Sequence, residues 1–268
     1  MKYLNGRDLA DFVKERQARQ VRALRQARRI FPKLAIISTH DLPVIETYMR
    51  LKQAYGQDIL VEVEIHRVSQ PAVRQLISEL NDNDNVHGII VQLPLADSSE
   101  TDEVIDLIAP HKDVDGLGRR ATLDAATPVA ISWLLAGYNI DLKMKQIAIV
   151  GQGRLVGAPL ARMWKNSGYD VTVFDETSQS DMRAKLKNFD IIVTATGVPG
   201  LITSDLVKFG AVVVDAGTAS ENGQIVGDVA DDTRSRDDLK ITPQKGGVGP
   251  LTIAALFDNL IRAASAND

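Results

Sequence analysis

Residues 146–166 read QIAIVGQGRLVGAPLARMWKN: an apolar run, a turn with glycines at 151, 153 and 157, and a helical pattern that starts without a break. No other stretch restricts the fold as much. A short β-branched run bounded by glycine is a buried strand, and a strand that passes through a glycine turn into a helix opens a βαβ unit of the dinucleotide-binding kind. In that frame Gly151 permits the tight turn and Gly153 lets backbone approach a pyrophosphate. Gly157 permits close packing of helix on strand, and the helix N-terminus faces the phosphates. The spacing is GxGxxxG rather than GxGxxG, so the flanking strand and helix carry the inference. The next strand, YDVTVFD, ends in Asp175, near the distance of about 20 residues at which an acid takes the ribose hydroxyls of NAD. A carboxylate there repels a 2′-phosphate. The alternative is that Asp175 only caps the turn before the next helix.

Around this unit strands and helices alternate. After Asp175 come a helix at MRAKLKNF, a strand at DIIVTATG, a short helix at SDLVKFG, a strand at AVVVDAG, and a glycine loop leading into a long C-terminal helix. Before it, residues 6–30 form one amphipathic helix, KLAIIST a strand, residues 45–56 a helix, and DILVEVEIHRV a strand. QPAVRQLISELNDND follows as a helix starting near its proline, VHGIIVQLPL as a strand, and SSETDEVIDLIAPH as a helix capped by Ser or Thr. Periodicity fails near GLGRRATLDAAT. The pattern predicts two parallel α/β domains: an N-terminal catalytic domain, residues 1–118, completed by the C-terminal helix 251–268, and a Rossmann-type dinucleotide-binding domain, residues 119–250.

The 268 residues carry a net charge of −4 and no cysteine. That balance offers no field for a nucleic-acid backbone, and without cysteine there is no disulfide frame, thiolate nucleophile or Cys-type metal site. His40, His66, His87 and His111 lack metal-ligand spacing, so no metal is expected. No apolar run reaches the length of a membrane span, the N-terminus lacks a signal-peptide core, and no ATP-binding P-loop is present. A cytoplasmic protein with no membrane partner is expected. Tyr48 and Lys52 stand four apart on one helix face; taken alone, such a lysine is a solvated surface group.

Several blocks resemble, in order and over nearly the whole chain, the bifunctional methylenetetrahydrofolate dehydrogenase/cyclohydrolase family: YMRLK at 48–52, VHGIIVQLPL at 86–95, KDVDG at 112–116, VGQGRLVGAPLA at 150–161, GDV at 227–229 and TPQKGGVGPLTIAAL at 242–256. The resemblance implies oxidation of 5,10-methylenetetrahydrofolate to the 5,10-methenyl form with NAD or NADP, then hydrolysis to 10-formyltetrahydrofolate. It implies that Lys52 is the catalytic lysine, Gln92 its partner, Tyr48 the aromatic that packs on the substrate, and Asp115 the carboxylate that holds the pterin. Gly247, Pro250 and Thr252 fall in the loop bordering folate and nicotinamide. Gly151, Gln152, Gly153, Arg154, Gly157, Asp175, Thr196 and Gly197 fall at the cofactor. A homodimer through the nucleotide-binding domains is also implied.

These roles are chemically reasonable. Hydrolysis of a cationic methenyl carbon needs a water relieved of its proton near neutrality, which a lysine can do only with a lowered pKa. A neutral Gln92 holds the amine without raising that pKa, whereas Asp115 suits an amino-pterin edge as an anion. The chain departs from the family at several points. Gly151, Gln152 and Gly153 stand where the family has GRS, and Asp175 and Glu176 where it has His-Ser. The residues that hold the NADP phosphate are therefore missing, which favours NAD. Ala126 replaces a cysteine, Ile45 replaces a serine, and the segment after KDVDG is shorter. Other readings are a dehydrogenase without cyclohydrolase activity, a shikimate dehydrogenase-like enzyme, and a non-catalytic nicotinamide- or folate-binding module. Lys52 speaks against the first, and the lack of a second Lys–Asp constellation against the next.

Overall fold

The computed structural model describes residues 2–221 and 224–266. In chain order the elements are β1 (Lys2–Tyr3), α1 (Gly6–Ala23), a π-helical turn (Leu24–Arg28), β2 (Lys33–Ser38), α2 (Pro43–Asp58), β3 (Glu62–Arg67), α3 (Gln70–Asn81), β4 (Gly88–Val91), α4 (Thr101–Ile105), α5 (Ala126–Gly137), β5 (Ile147–Val150), α6 (Gly157–Asn166), β6 (Val171–Phe174), α7 (Gln179–Lys185), β7 (Ile191–Thr194), β8 (Val212–Asp215), β9 (Ala219–Glu221), β10 (Gln224–Val226), α8 (Asp231–Arg234), β11 (Lys240–Ile241) and α9 (Val248–Ala266). Among the described residues no helix is long and apolar enough to cross a membrane, and no group of His, Asp and Glu is placed to hold a metal.

The chain divides into two compact units, Met1–Ala10 with Thr127–Thr252, and Asp11–Ala126 with Ile253–Asp268. This division falls at 126/127 and 252/253, where the sequence pattern places boundaries at 118/119 and 250/251. Residues 2–10 also go with the nucleotide-binding unit, because Lys2 and Tyr3 pair with Lys240 and Ile241.

The unit made by Asp11–Ala126 and Ile253–Asp268 is built on a parallel sheet of order β3-β2-β4, extended by a parallel bridge from Ile89 to Asp113. Leu34, Ala35, Ile36 and Ile37 of the central β2 are fully buried, as expected of a parallel strand covered on both faces. Helices α1, α2 and α9 are tied together by a buried amide. Gln17 donates to the Ala254 carbonyl at 2.8 Å and accepts from the Tyr55 hydroxyl at 2.7 Å, while the Tyr55 ring stacks on Phe257 at 4.9 Å.

Lys112, the first residue of KDVDG, has a structural task. Its ammonium is buried and donates to the carbonyls of Leu80, Asn81 and Asn83 at 3.1, 2.7 and 2.8 Å. These close the C-terminus of α3, where carbonyls lack helical partners and the dipole is negative. Lys112→Met leaves them unsatisfied, and urea unfolding is expected to show a loss of about 2–3 kcal/mol.

The other unit holds a parallel sheet of order β1-β11-β8-β7-β5-β6. Counted from β5, the strands after the glycine turn run 2-1-3-4-5, the doubly wound order whose switch point lies between the first strand and the third. Trp164 of α6 is buried and donates to the Ser132 hydroxyl of α5 at 3.0 Å.

Several expected elements differ. The helix over 6–30 is α-helical only to Ala23, then widens into the π turn and ends at Arg29 with φ of 57°. The helix over 98–111 is a 3₁₀ turn followed by α4, and it is capped by Asp97, which accepts from Ser99 N, not by Ser or Thr. Residues 204–206 form a single 3₁₀ turn. Helix α5 was not expected at all: ATPVAISWLLAG is apolar around its circumference and shows no amphipathic stripe.

Candidate functional site

On α2, Ile45, Met49 and Gly56 are buried, and Lys52 falls between them at positions i, i+4, i+7 and i+11 of one stripe. The lysine thus takes a core-facing place in an otherwise apolar row, with Tyr48 one turn before it. Ile45 itself is a core residue, 3% exposed. Gln92 follows the last residue of β4 and is held there by its N–H to the Ile37 carbonyl at 2.8 Å. Its side-chain oxygen accepts from Lys52 Nζ at 2.8 Å, and its amide donates to the Leu93 carbonyl at 3.2 Å. Asp115 follows the Ile89–Asp113 bridge. Gln92 and Asp115 therefore both lie past the carboxyl ends of parallel strands, where ligands of such sheets bind.

Electrostatics separates the roles. Burial pushes the Lys52 ammonium below the ordinary lysine value, and the nearby Asp115 carboxylate pulls it partly back. Burial raises the Asp115 carboxyl, opposed by Lys52 and reinforced by Asp113. Tyr48, half-buried, is raised by burial. Among the described residues Lys52 has no ion-pair partner at contact distance; its single hydrogen-bond partner is a neutral amide. A lysine so placed loses its proton far more readily than one paired with a carboxylate.

In the nucleotide-binding unit the glycine turn follows β5 directly. Gly151 adopts φ of +104°, and a Cβ on Gly157 would stand 1.9 Å from the Gly151 carbonyl oxygen. Gly153 differs: a Cβ there would meet only the Ala195 oxygen, at 3.9 Å, so this position is open to a ligand. Gln152 and Arg154 are exposed on the turn. Helix α6 starts with no side-chain cap at Val156. Ala158 N donates to the Gly153 carbonyl at 3.1 Å and Leu160 N to the Val156 carbonyl at 2.9 Å. Pro159 has no N–H, so Gly157 N is the first-turn donor that suits a phosphate.

Asp175 closes β6. Its Oδ1 accepts from Thr177 N, Ser178 N and both their hydroxyls, while Ser178 Oγ accepts from Asp175 N, a reciprocal capping box. Bonds from Thr177 and Ser178 hold the carboxyl below its usual range. Asp175 thus does cap the following turn, but with one oxygen, and Oδ2 takes none of these bonds.

Thr196 and Gly197 follow β7. The sequence did not single out what holds them: Asp228, of the GDV block, is fully buried and its Oδ2 accepts from Thr194 Oγ1 at 2.6 Å and Thr196 N at 2.7 Å. Asp228 is backed by Asp215, whose Oδ1 accepts from Asp228 N at 3.1 Å and whose Oδ2 pairs with Arg234. The signal was an acid between apolar residues at the end of a strand-like run. Gly247 ends the loop after β11, whereas Pro250 and Thr252, expected in that loop, already lie in the first turns of α9, because the helix starts at Val248 directly after the glycines. That loop is anchored by the N–H groups of Gly6 and Arg7, which donate to the Gly246 carbonyl at 2.9 and 3.2 Å. Thr252 Oγ1 lies 3.4 Å from Thr127 Oγ1.

A desolvated amine on one α/β unit and a dinucleotide cradle on another describe a two-domain, nicotinamide-dependent enzyme of the parallel α/β class. The comparisons make this specific. Residues 4–115 match the catalytic domain, and residues 125–268 the NAD(P)-binding domain, of tetrahydrofolate dehydrogenase/cyclohydrolase. The chain is 36% identical to the bifunctional protein FolD of Nitratiruptor sp., covering 98% of both chains. Its structure is similar to that of the bifunctional FolD enzyme from Campylobacter jejuni, with a TM-score of 0.92, 34% identity and 99% of both chains covered. It is also similar to the Trypanosoma brucei enzyme complexed with NADP cofactor and inhibitor, with a TM-score of 0.90, 28% identity, and 98% of this chain and 97% of that one covered. The chain belongs to the tetrahydrofolate dehydrogenase/cyclohydrolase family.

Proposed function

We propose that the protein oxidises 5,10-methylenetetrahydrofolate to the 5,10-methenyl form with NAD and hydrolyses that product to 10-formyltetrahydrofolate. The observation that carries this reading is Lys52, desolvated and bonded only to a neutral amide. Asp115 accepts hydrogen bonds from the amino-pterin edge, and Tyr48 offers its ring face to the aminobenzoyl group. When bound, a nicotinamide would supply the two-electron acceptor that takes a hydride from the methylene carbon. Gly153 would admit its pyrophosphate at the turn that Gly151 and Gly157 make possible, and Thr196 and Gly197, just past β7, would border it. In the hydrolytic step neutral Lys52 takes a proton from water as its oxygen bonds to the methenyl carbon. The adduct then opens as the bond from that carbon to N5 breaks, N5 taking a proton and the hydroxyl losing one to give the formyl group, and Lys52 returns its proton to solvent. The cationic substrate further lowers the lysine pKa. Gln92 keeps the amine aimed and adds no charge.

NAD rather than NADP is the cofactor in this proposal, since the free Oδ2 of Asp175 suits the ribose hydroxyls and opposes a 2′-phosphate. Asp175→Ser should retain the cap, because serine serves at an N-cap about as well as aspartate. It should also shift the kcat/KM ratio toward NADP by about 10²-fold, the scale of relieving a like-charge contact. A homodimer, as the family resemblance implies, and a place in the cytoplasm complete the proposal.

The test is a spectrophotometric assay with 5,10-methylenetetrahydrofolate, run in parallel with NAD and NADP and acid-quenched to separate methenyl from formyl product. Formyl product with reduction of NAD is the expected result. Activity with NADP alone would remove the role given to Asp175, and reduction without formyl product would leave a dehydrogenase only.

A further inference from the structure

Asp115 lies in a turn whose flanking peptide groups are held from opposite sides. On its C-terminal side, Gly116 N donates to Asp113 Oδ1 at 3.0 Å and Gly118 N to Asp113 Oδ2 at 2.8 Å. The Asp115 carbonyl accepts from Ala126 N at 3.4 Å. Gly116 adopts φ of +69°, and a Cβ there would meet backbone of residues 123–125 at 2.7 Å. No other residue fits that turn.

The peptide on the other side, between Val114 and Asp115, is held from α9. Asn259 donates through Nδ2 to the Val114 carbonyl at 3.0 Å and to the Asp124 carbonyl at 2.8 Å. One amide group thus ties both ends of the excursion 115–123, and at 3% exposure water does not compete for it. Both acceptors are carbonyls, so the position demands two donors on a short side chain, which asparagine has and aspartate lacks. The helix carrying Asn259 is itself fixed. Leu260 packs over Gly88, where a Cβ would lie 2.7 Å from its methyl. Arg16 pairs with Asp258 at 2.7 Å.

We infer that Asn259 is a positioning residue for Asp115, through which helix α9 sets the aim of the carboxylate that holds the pterin. The backbone sets the Cα–Cβ direction and the rotamers open to a side chain, so holding both neighbouring peptides restricts where the carboxylate can reach. The inference rests on the reading of Asp115 as the pterin-binding group.

The experiment titrates wild type, Asn259→Ala, Asn259→Ser, Asp115→Ala and the Asn259→Ala/Asp115→Ala double variant with tetrahydrofolate under anaerobic conditions, and each separately with NAD. Asn259→Ala should weaken tetrahydrofolate binding about tenfold, as expected when a supporting hydrogen-bond pair is lost, with NAD binding unchanged. Asn259→Ser, which keeps one donor, should lie between, and it carries the comparison if the alanine variant is poorly folded. In the Asp115→Ala background the Asn259 change should add less than about twofold, since it acts through a group already removed. Full additivity, or equal loss of NAD binding, would overturn the inference while leaving Asp115 in its role. Unchanged tetrahydrofolate binding by Asp115→Ala would overturn the reading of Asp115 and the inference with it.

Discussion

Lys52→Met should slow hydrolysis of 5,10-methenyltetrahydrofolate by about 10²- to 10⁴-fold, the range for loss of a positioned general base, while NAD affinity stays at the wild-type value. The lysine donates to Gln92 at 2.8 Å and interrupts the buried row Ile45–Met49–Gly56, so methionine fills its place without a cavity. Decay of methenyl absorbance measures the effect, and a loss under tenfold would remove Lys52 from the chemistry. In the wild type the hydrolytic rate should rise with pH as Lys52 loses its proton, with a midpoint below the ordinary 10.5 because burial depresses it. Lys52→Met should flatten that rise. Stability follows the same linkage. Between the lowered folded pKa and 10.5 the unfolded chain holds the Lys52 proton and the folded site does not, so stability rises with pH across that window, and the methionine variant should lose that slope. Asp115 acts with opposite sign: its folded pKa is raised above 3.8, so stability falls with rising pH between those two values.

Gly157→Ala should destabilise the nucleotide-binding unit by about 3 kcal/mol or more, as overpacking against rigid atoms does, and abolish measurable NAD binding. The added Cβ would stand 1.9 Å from the Gly151 oxygen and 2.8 Å from its carbonyl carbon, both backbone atoms of the turn itself. Neither can move without opening the β5–α6 junction. Gly153→Ala is the control. Its Cβ would meet only the Ala195 oxygen at 3.9 Å, so the fold should be kept to within about 0.5 kcal/mol, yet the methyl group occupies the space through which a pyrophosphate approaches. Denaturant unfolding together with NAD titration separates the two cases. If Gly157→Ala unfolded at the wild-type midpoint, the steric account of the turn would fail; if Gly153→Ala bound NAD normally, that face would not be the cofactor's.

Much of the site was legible because its signals are local. A strand, glycine turn and helix in immediate succession need no distant residue to be recognised, and an acid at the end of the next strand is found by counting. Lys52 was legible through its family block, and its interruption of an apolar stripe on α2 explains why it is desolvated. Helix α5 escaped because an element apolar nearly all round has no polar face to give it a period. The supports of the site escaped for another reason. Asp228 meets Thr196 across 32 residues, and Asn259 meets Val114 across 145, and no periodicity links residues so far apart.

The amino-acid sequence by itself determined the alternation of strands and helices, the parallel α/β class and the glycine turn, because these depend on backbone preference and on hydrophobic spacing within a few turns. Only the tertiary structure decided that β1 completes the nucleotide-binding sheet, that Asp175 caps with one oxygen and leaves the other, that Lys52 is bonded to an amide and not to an acid, and that Asn259 braces Asp115. Each of these depends on which distant groups share a desolvated space, where a hydrogen bond or a charge counts for most and where only the folded chain brings the partners together.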